Sequence, residues 1–398
     1  MKGKIFMIWT IMLLSVAMAG CVYDYEPEDE DIQGLDKPLV VIDGDIIAGG
    51  ITRVKVGLTQ SLVEDEVAVP LGATVWVESG EGEMMGGIMM EEKLNEFEID
   101  TRNLDMDGKY RLCVSIPGRG EYVSQFKSVL VSPPIDSITY SVAADRSYAR
   151  IEVTTHNEEQ KSKLYCKWSY SENWESDAVY PSELVYDMKT QIMRELDLTE
   201  IDERYYCFSE SVSVGTHIAN TEKLSENVIY KSVINEIPKT DTKLMRLYSI
   251  LVRQTVLDKE AYMYWENIKN NTTSTGGLFG PQPSEVRGNI ESKTVPEEIV
   301  IGYINVTTMT EKREFVDWLS ESIFSTDCAT VMVDRKKPSD KEGKNGLWNS
   351  YYNLGYRPVR YPEFGDGSYD VSRAYWALER CTDCRVFSNS TKPDFWPR

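Results

Sequence analysis

The side chains with the most versatile chemistry in this sequence are its cysteines, of which the 398-residue chain contains seven. Cys381 and Cys384 form a C-x-x-C pair, a spacing found in redox sites, zinc sites and structural disulfides. A thioredoxin-like site needs a strand before the pair and a helix after it, and neither pattern is clear. A zinc site needs further ligands, and the chain has only two histidines. We therefore expect structural disulfides, either within the pair or from it to Cys207 and Cys328.

Cys21 differs from the other cysteines because it follows a short apolar segment. Two lysines precede residues 5–17, an apolar stretch too short to span a bilayer as a stable helix and typical of a signal peptide. Ala19 and Gly20, directly before Cys21, resemble the bacterial lipobox, in which the cysteine is acylated and the signal is cut just before it. The sequence predicts a signal peptide over residues 1–20 and membrane anchoring through acyl chains on Cys21. The alternative is an ordinary secretory signal whose cysteine enters the fold.

The segment that follows, residues 21–37, is acidic and has no basic residue before Lys37. Self-repulsion favours an extended, disordered tether, which at roughly 3.5 Å per residue reaches about 60 Å at most. An acidic cluster after a lipidated cysteine also resembles the surface-export signal of Bacteroidota lipoproteins. We therefore predict an outer-membrane location, at the cell surface; a plain solvated linker would give the same tether without fixing the side of the membrane.

Composition excludes one class of partner. The chain carries 64 acidic and 43 basic residues, for a net charge of -21. Proteins bind nucleic acids by displacing counterions with lysine and arginine, so this balance predicts that nucleic acid is not a partner. A chain of this length, with 41% hydrophobic residues, is sufficient for two or more domains with apolar cores.

Residues 38–132 are patterned as a β-sandwich. Short runs such as "RVKVGL", "ATVWVE" and "KYRLCVSI" alternate apolar and polar residues with period two, and turn signals separate them every eight to twelve residues or so. Pro133 and Pro134 end this region, because two consecutive prolines remove two hydrogen-bond donors and enforce extended geometry. They predict a boundary or rigid elbow between domains.

Residues 135–398 predict a larger domain in which strands predominate. The segment 244–257 has the pattern of a long strand, and Asp258 is a helix N-cap before apolar residues at helical spacing. The segment 182–196 also shows helical spacing, and the segments 285–290 and 297–306 together predict a hairpin or two sequential strands. The predicted fold class is mainly β: an N-terminal Ig-like or transthyretin-like β-sandwich, followed by a larger β-rich domain with a few helices.

A polar, aromatic and loop-rich region, residues 332–375, is the candidate recognition surface. Tyr351, Tyr352, Tyr356 and Tyr361 would supply contact area at low entropic cost. The alternative is a long ordered loop that caps a sandwich.

No catalytic constellation is evident. Neither His156 nor His217 lies in a nucleophile motif such as G-x-S-x-G. Two carboxylates suffice for glycoside hydrolysis, but 64 acidic residues guarantee chance pairs. We predict a non-enzyme with no metal and no cofactor.

Several long stretches carry a family resemblance: "LSENVIY" (224–230), the segment 247–290 that begins "LYSILVRQTVLDKEAYMYWENIKNN", "IVIGYINV" (299–306) with "EKREF" (311–315), and the terminal "CTDCRVFSNSTKPDFWP" (381–397). "KPLVVIDGDI" and "PPIDSITY" fit the same pattern. Together they resemble the Bacteroidota outer-membrane lipoprotein family classified as domain of unknown function 4249. That family offers no catalytic residues to transfer.

The resemblance implies an accessory role beside a TonB-dependent outer-membrane transporter, as a non-catalytic protein that binds a ligand or the transporter itself. Two alternatives remain open at this point. One is a structural or adhesive β-protein of a surface assembly, and the other is a glycan or peptide hydrolase. The ligand, the transporter partner and the disulfide pairing are not fixed by the sequence.

Overall fold

A computed structural model describes residues 38–59, 71–91, 93–158, 162–273, 287–335 and 346–397. The fold is mainly β, which confirms the predicted fold class. Its strands are β1 (Val40–Gly44), β2 (Ile46–Ile47), β3 (Ile51–Leu58), β4 (Thr74–Ser79), β5 (Met84–Gly86), β6 (Ile88–Met89), β7 (Glu96–Asp100), β8 (Lys109–Ile116), β9 (Gly120–Ser124), β10 (Lys127–Ser128), β11 (Ile135–Val142), β12 (Tyr148–His156), β13 (Tyr165–Asp177), β14 (Leu184–Asp187), β15 (Ile192–Glu195), β16 (Tyr206–Val212), β17 (His217–Asn220), β18 (Val228–Pro238), β19 (Leu247–Val256), β20 (Ile290–Ser292), β21 (Val300–Ile301), β22 (Val306–Thr307), β23 (Met309–Asp317), β24 (Val331–Asp334), β25 (Tyr356–Arg360) and β26 (Arg373–Leu378).

Helices are few in the described part of the chain. The α-helices are α1 (Leu198–Tyr205), α2 (Lys259–Thr273) and α3 (Gly346–Asn353), and short 3-10 turns cover Thr242–Leu244, Glu379–Cys381 and Cys384–Val386. None of the helices placed by the structure is long and apolar enough to cross a membrane.

The first β-sandwich packs two sheets over an aliphatic core. One sheet has the order β21-β1-β3-β7-β6 and the other β20-β9-β8-β4-β5, with β10 beside β8. Strand β3 illustrates how the sequence gives each sheet one core-facing side. Val54 and Val56 point into the core, while Arg53 and Lys55 point into solvent. This is the alternation that the sequence predicts.

The first sandwich is discontinuous in sequence. Strand β20 pairs antiparallel with β9, whereas β21 and β22 pair parallel with β1 and β2. The registers include Val40 with Val300 and Ile46 with Val306. Residues 287–308 therefore return to the first sandwich after the chain has built most of the second, a path that the boundary predicted between residues 132 and 135 does not include.

The second β-sandwich has a mainly aliphatic core that also contains buried tryptophan and tyrosine side chains. Its sheets have the orders β11-β12-β18 and β16-β13-β19-β23, with β17 beside β13. Trp168, Trp318 and Tyr248 are almost completely buried between them. Strand β19 covers most of the segment that predicts a long strand.

A buried carboxylate bridges the two sheets of the second sandwich. Glu172 on β13 accepts hydrogen bonds from Tyr248 Oη at 2.6 Å, Asn235 Nδ2 at 2.7 Å and Ser211 Oγ at 2.6 Å, and Lys243 Nζ lies 2.6 Å away. Burial, and then the nearby Glu172 charge, raise the pKa of Tyr248 well above its ordinary value. Every lone pair of the carboxylate thus has a partner, which a charge inside a core requires.

Helix α2 joins the two sandwiches. The Asp258 carboxylate accepts from the Ala261 amide at 2.7 Å, which confirms the predicted N-cap. The buried face of the helix presents Ala261 and Tyr264 to Tyr165 of the second sandwich and Tyr303 of the returning segment. The helix therefore buries aromatic surface against both units.

A third, smaller lobe contains the sheet β24-β26-β25, helix α3 and the hairpin β14–β15. The hairpin corrects the helix predicted for residues 182–196. Leu184 and Tyr186 alternate inward, and Gln191 adopts a left-handed φ of 58° in the turn. Residues four apart lie on the same face both of a helix and of a strand, so the spacing alone does not distinguish the two. Leu184 and Tyr186 pack against Trp348 and Trp376 as residues of a strand.

Candidate functional site

A groove of about 960 Å³ lies at the elbow between the two sandwiches. The linker at residues 129–134 forms one side of it. The other sides come from residues 156–158 and 162–165, around the end of β12 and the start of β13, and from residues 256–259, where β19 passes into α2. Leu164, Tyr165 and Leu257 give the groove an apolar wall.

Hydrogen bonds fix the elbow. Gln254 Nε2 donates to the Pro133 carbonyl at 2.8 Å, and Thr310 Oγ1 donates to the same carbonyl at 3.0 Å. The Ser132 amide donates to Thr308 Oγ1 at 2.8 Å. Each proline has a carbonyl acceptor but no amide donor. Side chains of the second sandwich satisfy the Pro133 carbonyl by donating to it. These hydrogen bonds attach the linker to neighbouring strands at the point where the sequence predicts a boundary or a rigid elbow.

An ion pair beside the groove ties the sandwiches together. Lys127 Nζ of the first sandwich lies 2.7 Å from Asp258 Oδ2 and 2.9 Å from the Tyr303 hydroxyl. Burial alone would lower the pKa of Lys127, but the hydrogen bonds to Asp258 and Tyr303 outweigh it and raise the pKa above its ordinary value. A second pair joins Lys167 Nζ to Asp45 Oδ2 at 2.6 Å.

Most of the charged groups on the groove rim have partners, whereas Glu158 is exposed. His156 Nδ1 lies 2.7 Å from Asp136 Oδ2, and this hydrogen bond raises the pKa of the imidazole above its ordinary value. Lys163 Nζ donates to the Leu224 carbonyl at 2.7 Å, and Lys259 pairs with Glu222. His156, Lys163 and Lys259 are thus engaged with other groups of the rim.

The main-chain edge of the linker is open. The Leu130 amide donates to the Val306 carbonyl at 2.9 Å, and the Leu130 carbonyl accepts from the Thr308 amide at 2.9 Å. In an extended chain, neighbouring residues present these groups to opposite sides. Val129 and Val131 line the groove and form no main-chain hydrogen bond with any other residue that the structure describes. The Val131 side chain is 68% exposed.

Two disulfides hold the third lobe. Cys207 forms a disulfide with Cys384, and Cys328 forms one with Cys381. The two cysteines of the C-x-x-C pair are therefore bonded to different partners. The first link ties the lobe to β16 of the second sandwich. Cys113 and Cys166 are free thiols buried in the two sandwiches. Cys21, the predicted lipidation site, lies outside the described residues.

The last described residues form a strap across the second sandwich. Asn389 exchanges two hydrogen bonds with the main chain of Glu210, at 2.8 and 3.0 Å. The Trp396 indole donates to Glu175 Oε1 at 2.6 Å, and Glu175 has no exposed surface. The strap therefore covers a second buried carboxylate on β13.

The four tyrosines of the candidate recognition surface, Tyr351, Tyr352, Tyr356 and Tyr361, are half-buried. They pack against the core of the third lobe, with Tyr351 and Tyr356 ring centroids 5.3 Å apart. They are therefore only partly available as a contact surface, because they cover Trp348 and Trp376 in the core of the lobe. Their part in recognition stays a prediction.

Tyr361 also lines a small pocket of about 180 Å³ at the hairpin β14–β15. Tyr369, Glu183, Glu195 and Ile201 share the lining. Burial, and then the Glu195 charge, raise the pKa of Tyr361. The pocket is small and open to solvent, so a ligand there would bury far less surface than in the elbow groove.

Metal-ligating side chains are not clustered in the part of the chain that the structure describes. Among the residues that the structure describes, no three histidine, cysteine or carboxylate side chains are placed to hold one metal ion.

Sequence reasoning found the elbow but missed its groove. The proline pair marks residues 133–134, and the N-cap marks Asp258, yet Val131, Leu164 and Leu257 lie in three separate segments. Each has the pattern of an ordinary apolar strand residue. The signal that identifies the site is the geometry of the linker, which appears only in three dimensions.

None of the curated proteins matches the chain. Among solved structures, the chain is similar to that of a DUF4785 family protein from Legionella pneumophila subsp. pneumophila str. Philadelphia 1, at 11% identity and a TM-score of 0.17. The match covers 54% of this chain and 52% of that one, so the chain spans about half the length of that protein. A likeness at this TM-score supports no conclusion about fold or function.

The family comparison is more informative. The family described as Domain of unknown function (DUF4249) matches residues 22–313, which include both sandwiches, the elbow and helix α2. The chain therefore belongs to the DUF4249 family.

Proposed function

We propose that this protein is a lipid-anchored, non-catalytic binding protein of the Bacteroidota outer membrane that assists a TonB-dependent transporter. The observation that carries the proposal is the groove between the two sandwiches, which hydrogen bonds and ion pairs connect. Ligand sites are commonly clefts of about 300–1,000 Å³ at domain interfaces, and the elbow groove has this size and position. Its walls are apolar, and its rim is polar.

The electrostatics of the groove favour binding over chemistry. A general acid or base must lie within hydrogen-bond reach of the group it protonates or deprotonates, with a pKa tuned to that task. Here His156 is paired with Asp136, and Asp258 both caps α2 and pairs with Lys127. These residues are used to hold the rim in place.

The anchor follows from the sequence. The lipobox-like residues before Cys21 favour acylation, and each buried methylene contributes about 0.8 kcal/mol to membrane binding. The acidic tether at residues 21–37 would let the folded body move about 60 Å at most from the bilayer. Such tethering raises the effective concentration of a binding module near a membrane partner. The acidic cluster also favours exposure at the cell surface.

The proposal is tested with the full chain, expressed with its own signal segment in a Bacteroidota host. Cys21→Ala should abolish acylation of the mature amino terminus and release the protein from the membrane fraction. Ser15→Ala, which keeps the signal segment apolar, is the matched control and should fractionate like the wild type. Mass spectrometry of protein captured from detergent-solubilised outer membrane should show a TonB-dependent transporter enriched with the wild type.

Two results would contradict the proposal. One is a Cys21→Ala protein that remains in the outer membrane to the wild-type extent. The other is capture of the wild-type lipoprotein without any TonB-dependent transporter above the level obtained with an unrelated lipoprotein. Recovery of other surface-assembly proteins in place of a transporter would favour the structural or adhesive alternative.

A further inference from the structure

The geometry points to a ligand class for the elbow groove: we infer that it binds an extended peptide, which adds as a strand to the open edge at Val129–Val131. The inference rests on the proposed function, because it names the ligand of the same groove. Its basis is the direction of main-chain hydrogen bonds, which distinguishes a peptide from other apolar ligands.

The linker is half of a strand pair. On its inner side, Leu130 exchanges two hydrogen bonds, at 2.9 Å each, with the main chain around β22. On its outer side, Val129 and Val131 each offer an amide and a carbonyl that no other described residue uses. Residues two apart on a strand repeat the same orientation, so the two valines present matched donor and acceptor pairs to one side. This is the pattern that a second strand recognises.

The groove restricts how such a strand enters. The wall from Leu164 to Tyr165 and the turn at Leu257 face the linker across the cavity. A peptide laid along the linker would place alternate side chains toward this wall and toward solvent. The exposed Val131 side chain offers one apolar cross-strand contact. The groove thus supplies a main-chain edge beside an apolar wall.

Another edge of the same molecule shows the contrast. Strand β18 also ends a sheet, but it is protected in the usual ways. Its pairing with β12 shifts register twice, Lys231 has a positive φ of 49°, and Pro238 closes the strand. Bulges, lysine and proline discourage strand addition. The linker edge at Val129–Val131 contains no lysine or proline and lies in a groove, and Pro133 and Pro134 limit its length.

The test uses the purified mature chain and a library of random seven-residue peptides with unmodified main chains. The best binder is resynthesised with N-methyl groups at alternate residues, which keeps its side chains but removes main-chain donors. We expect the methylation that faces the linker to weaken binding about tenfold or more, as loss of a charge-neutral hydrogen-bond pair in a partly buried site predicts. Methylation of the other alternate set should have little effect.

Protein variants locate the interaction. Val131→Pro removes the Val131 amide while keeping an extended chain, and it should weaken the unmodified peptide about tenfold. Val131→Thr retains the amide and a β-branched side chain, and it should bind within about twofold of the wild type. Circular dichroism of both variants establishes that they are folded.

Several outcomes overturn the inference. They are a library without any binder, equal binding of the methylated and unmodified peptides, and peptide binding that Val131→Pro leaves unchanged in a folded protein. None of these touches membrane fractionation or transporter capture, so the proposed function can stand when the peptide inference fails. Conversely, peptide binding without transporter capture would leave the inference standing and remove the proposed function.

Discussion

The two sandwiches of this protein achieve similar architecture with different interiors. Both interiors are mainly aliphatic, and the first also contains Phe97, Tyr110 and Tyr122. The second contains Trp168, Trp318 and Tyr248, and it buries the carboxylates of Glu172 and Glu175. An aliphatic core is stabilised by area and shape, whereas a core with buried charge depends on every partner being present. The second sandwich is therefore the more sensitive to single polar changes.

The largest expected effect comes from breaking the Glu172 network. Glu172→Ala leaves Lys243 and Tyr248 without their buried partner and should destabilise the second sandwich by about 3–5 kcal/mol. Urea unfolding followed by tryptophan fluorescence measures the loss. Ile99→Ala, in the aliphatic core, is the comparison and should cost about 2–5 kcal/mol through a cavity.

Glu172→Gln separates charge from volume. It nearly preserves the size of the side chain but leaves the Lys243 ammonium without a counter-charge, so we expect most of the loss to persist. If Glu172→Gln is as stable as the wild type, packing alone accounts for the stability of the site, and the buried charge does not distinguish the second core from the first.

Removal of the disulfides should have the next largest effect, and it should spare the first sandwich. The Cys207–Cys384 link spans 177 residues and the Cys328–Cys381 link spans 53. Replacing either pair by serine should destabilise the third lobe by about 2–4 kcal/mol, with the larger loss for the longer span in the chain-entropy description. Hydrogen exchange should show faster opening around α3 and β26.

Hydrogen exchange in the first sandwich is the internal reference for that experiment. Its one described cysteine, Cys113, is a free buried thiol, so no cross-link of the first sandwich is lost. Equal acceleration in both sandwiches would show that the lobe and the first sandwich open as one unit, contrary to the regional difference described above.

Substitution of the two histidines should have the smallest effects on stability, and the two effects should depend on pH in opposite directions. The Asp136 hydrogen bond raises the pKa of His156, so its contribution is fully present below the unfolded-state pKa of about 6.5 and is lost as pH rises through the higher folded value. Burial, and then the Lys269 charge, lower the pKa of His217. Its contribution is present above about 6.5 and is lost as pH falls through the lower folded value.

Urea midpoints of His156→Gln and His217→Gln from about pH 5 to about pH 8 resolve the two terms. His156→Gln should lose about 0.2–1 kcal/mol, on the acidic side only, as is usual for an exposed ion pair. His217→Gln should make the profile flatter between neutral and acidic pH. Parallel profiles for the wild type and both variants would contradict this assignment.

The contrast between the cores also explains what the sequence could reveal. Strands of the first sandwich were predictable because one face meets solvent, which leaves the alternation seen at Arg53, Val54, Lys55 and Val56. In the third lobe, the spacing of Leu184, Met188 and Ile192 fits both a helix and a strand, and only the tertiary partners decide.

Long-range pairing was not predictable. The segment 297–306 has a strand pattern, but its pairing with β1 and β2, more than 250 residues earlier in the chain for Ile46 and Val306, is not encoded locally. The candidate site shows the same limit. The prolines predict the elbow, whereas the groove exists only because three distant segments meet there.

The return of residues 287–308 also governs how the molecule is made. During synthesis, the first sandwich cannot complete its sheets until the strands at Val300–Ile301 and Val306–Thr307 leave the ribosome. A protease that cuts between Pro133 and Pro134 would leave two fragments that stay associated, because each sandwich would still be connected to the other through Thr308. The two halves therefore fold together, and either one expressed alone would carry an unfinished sheet.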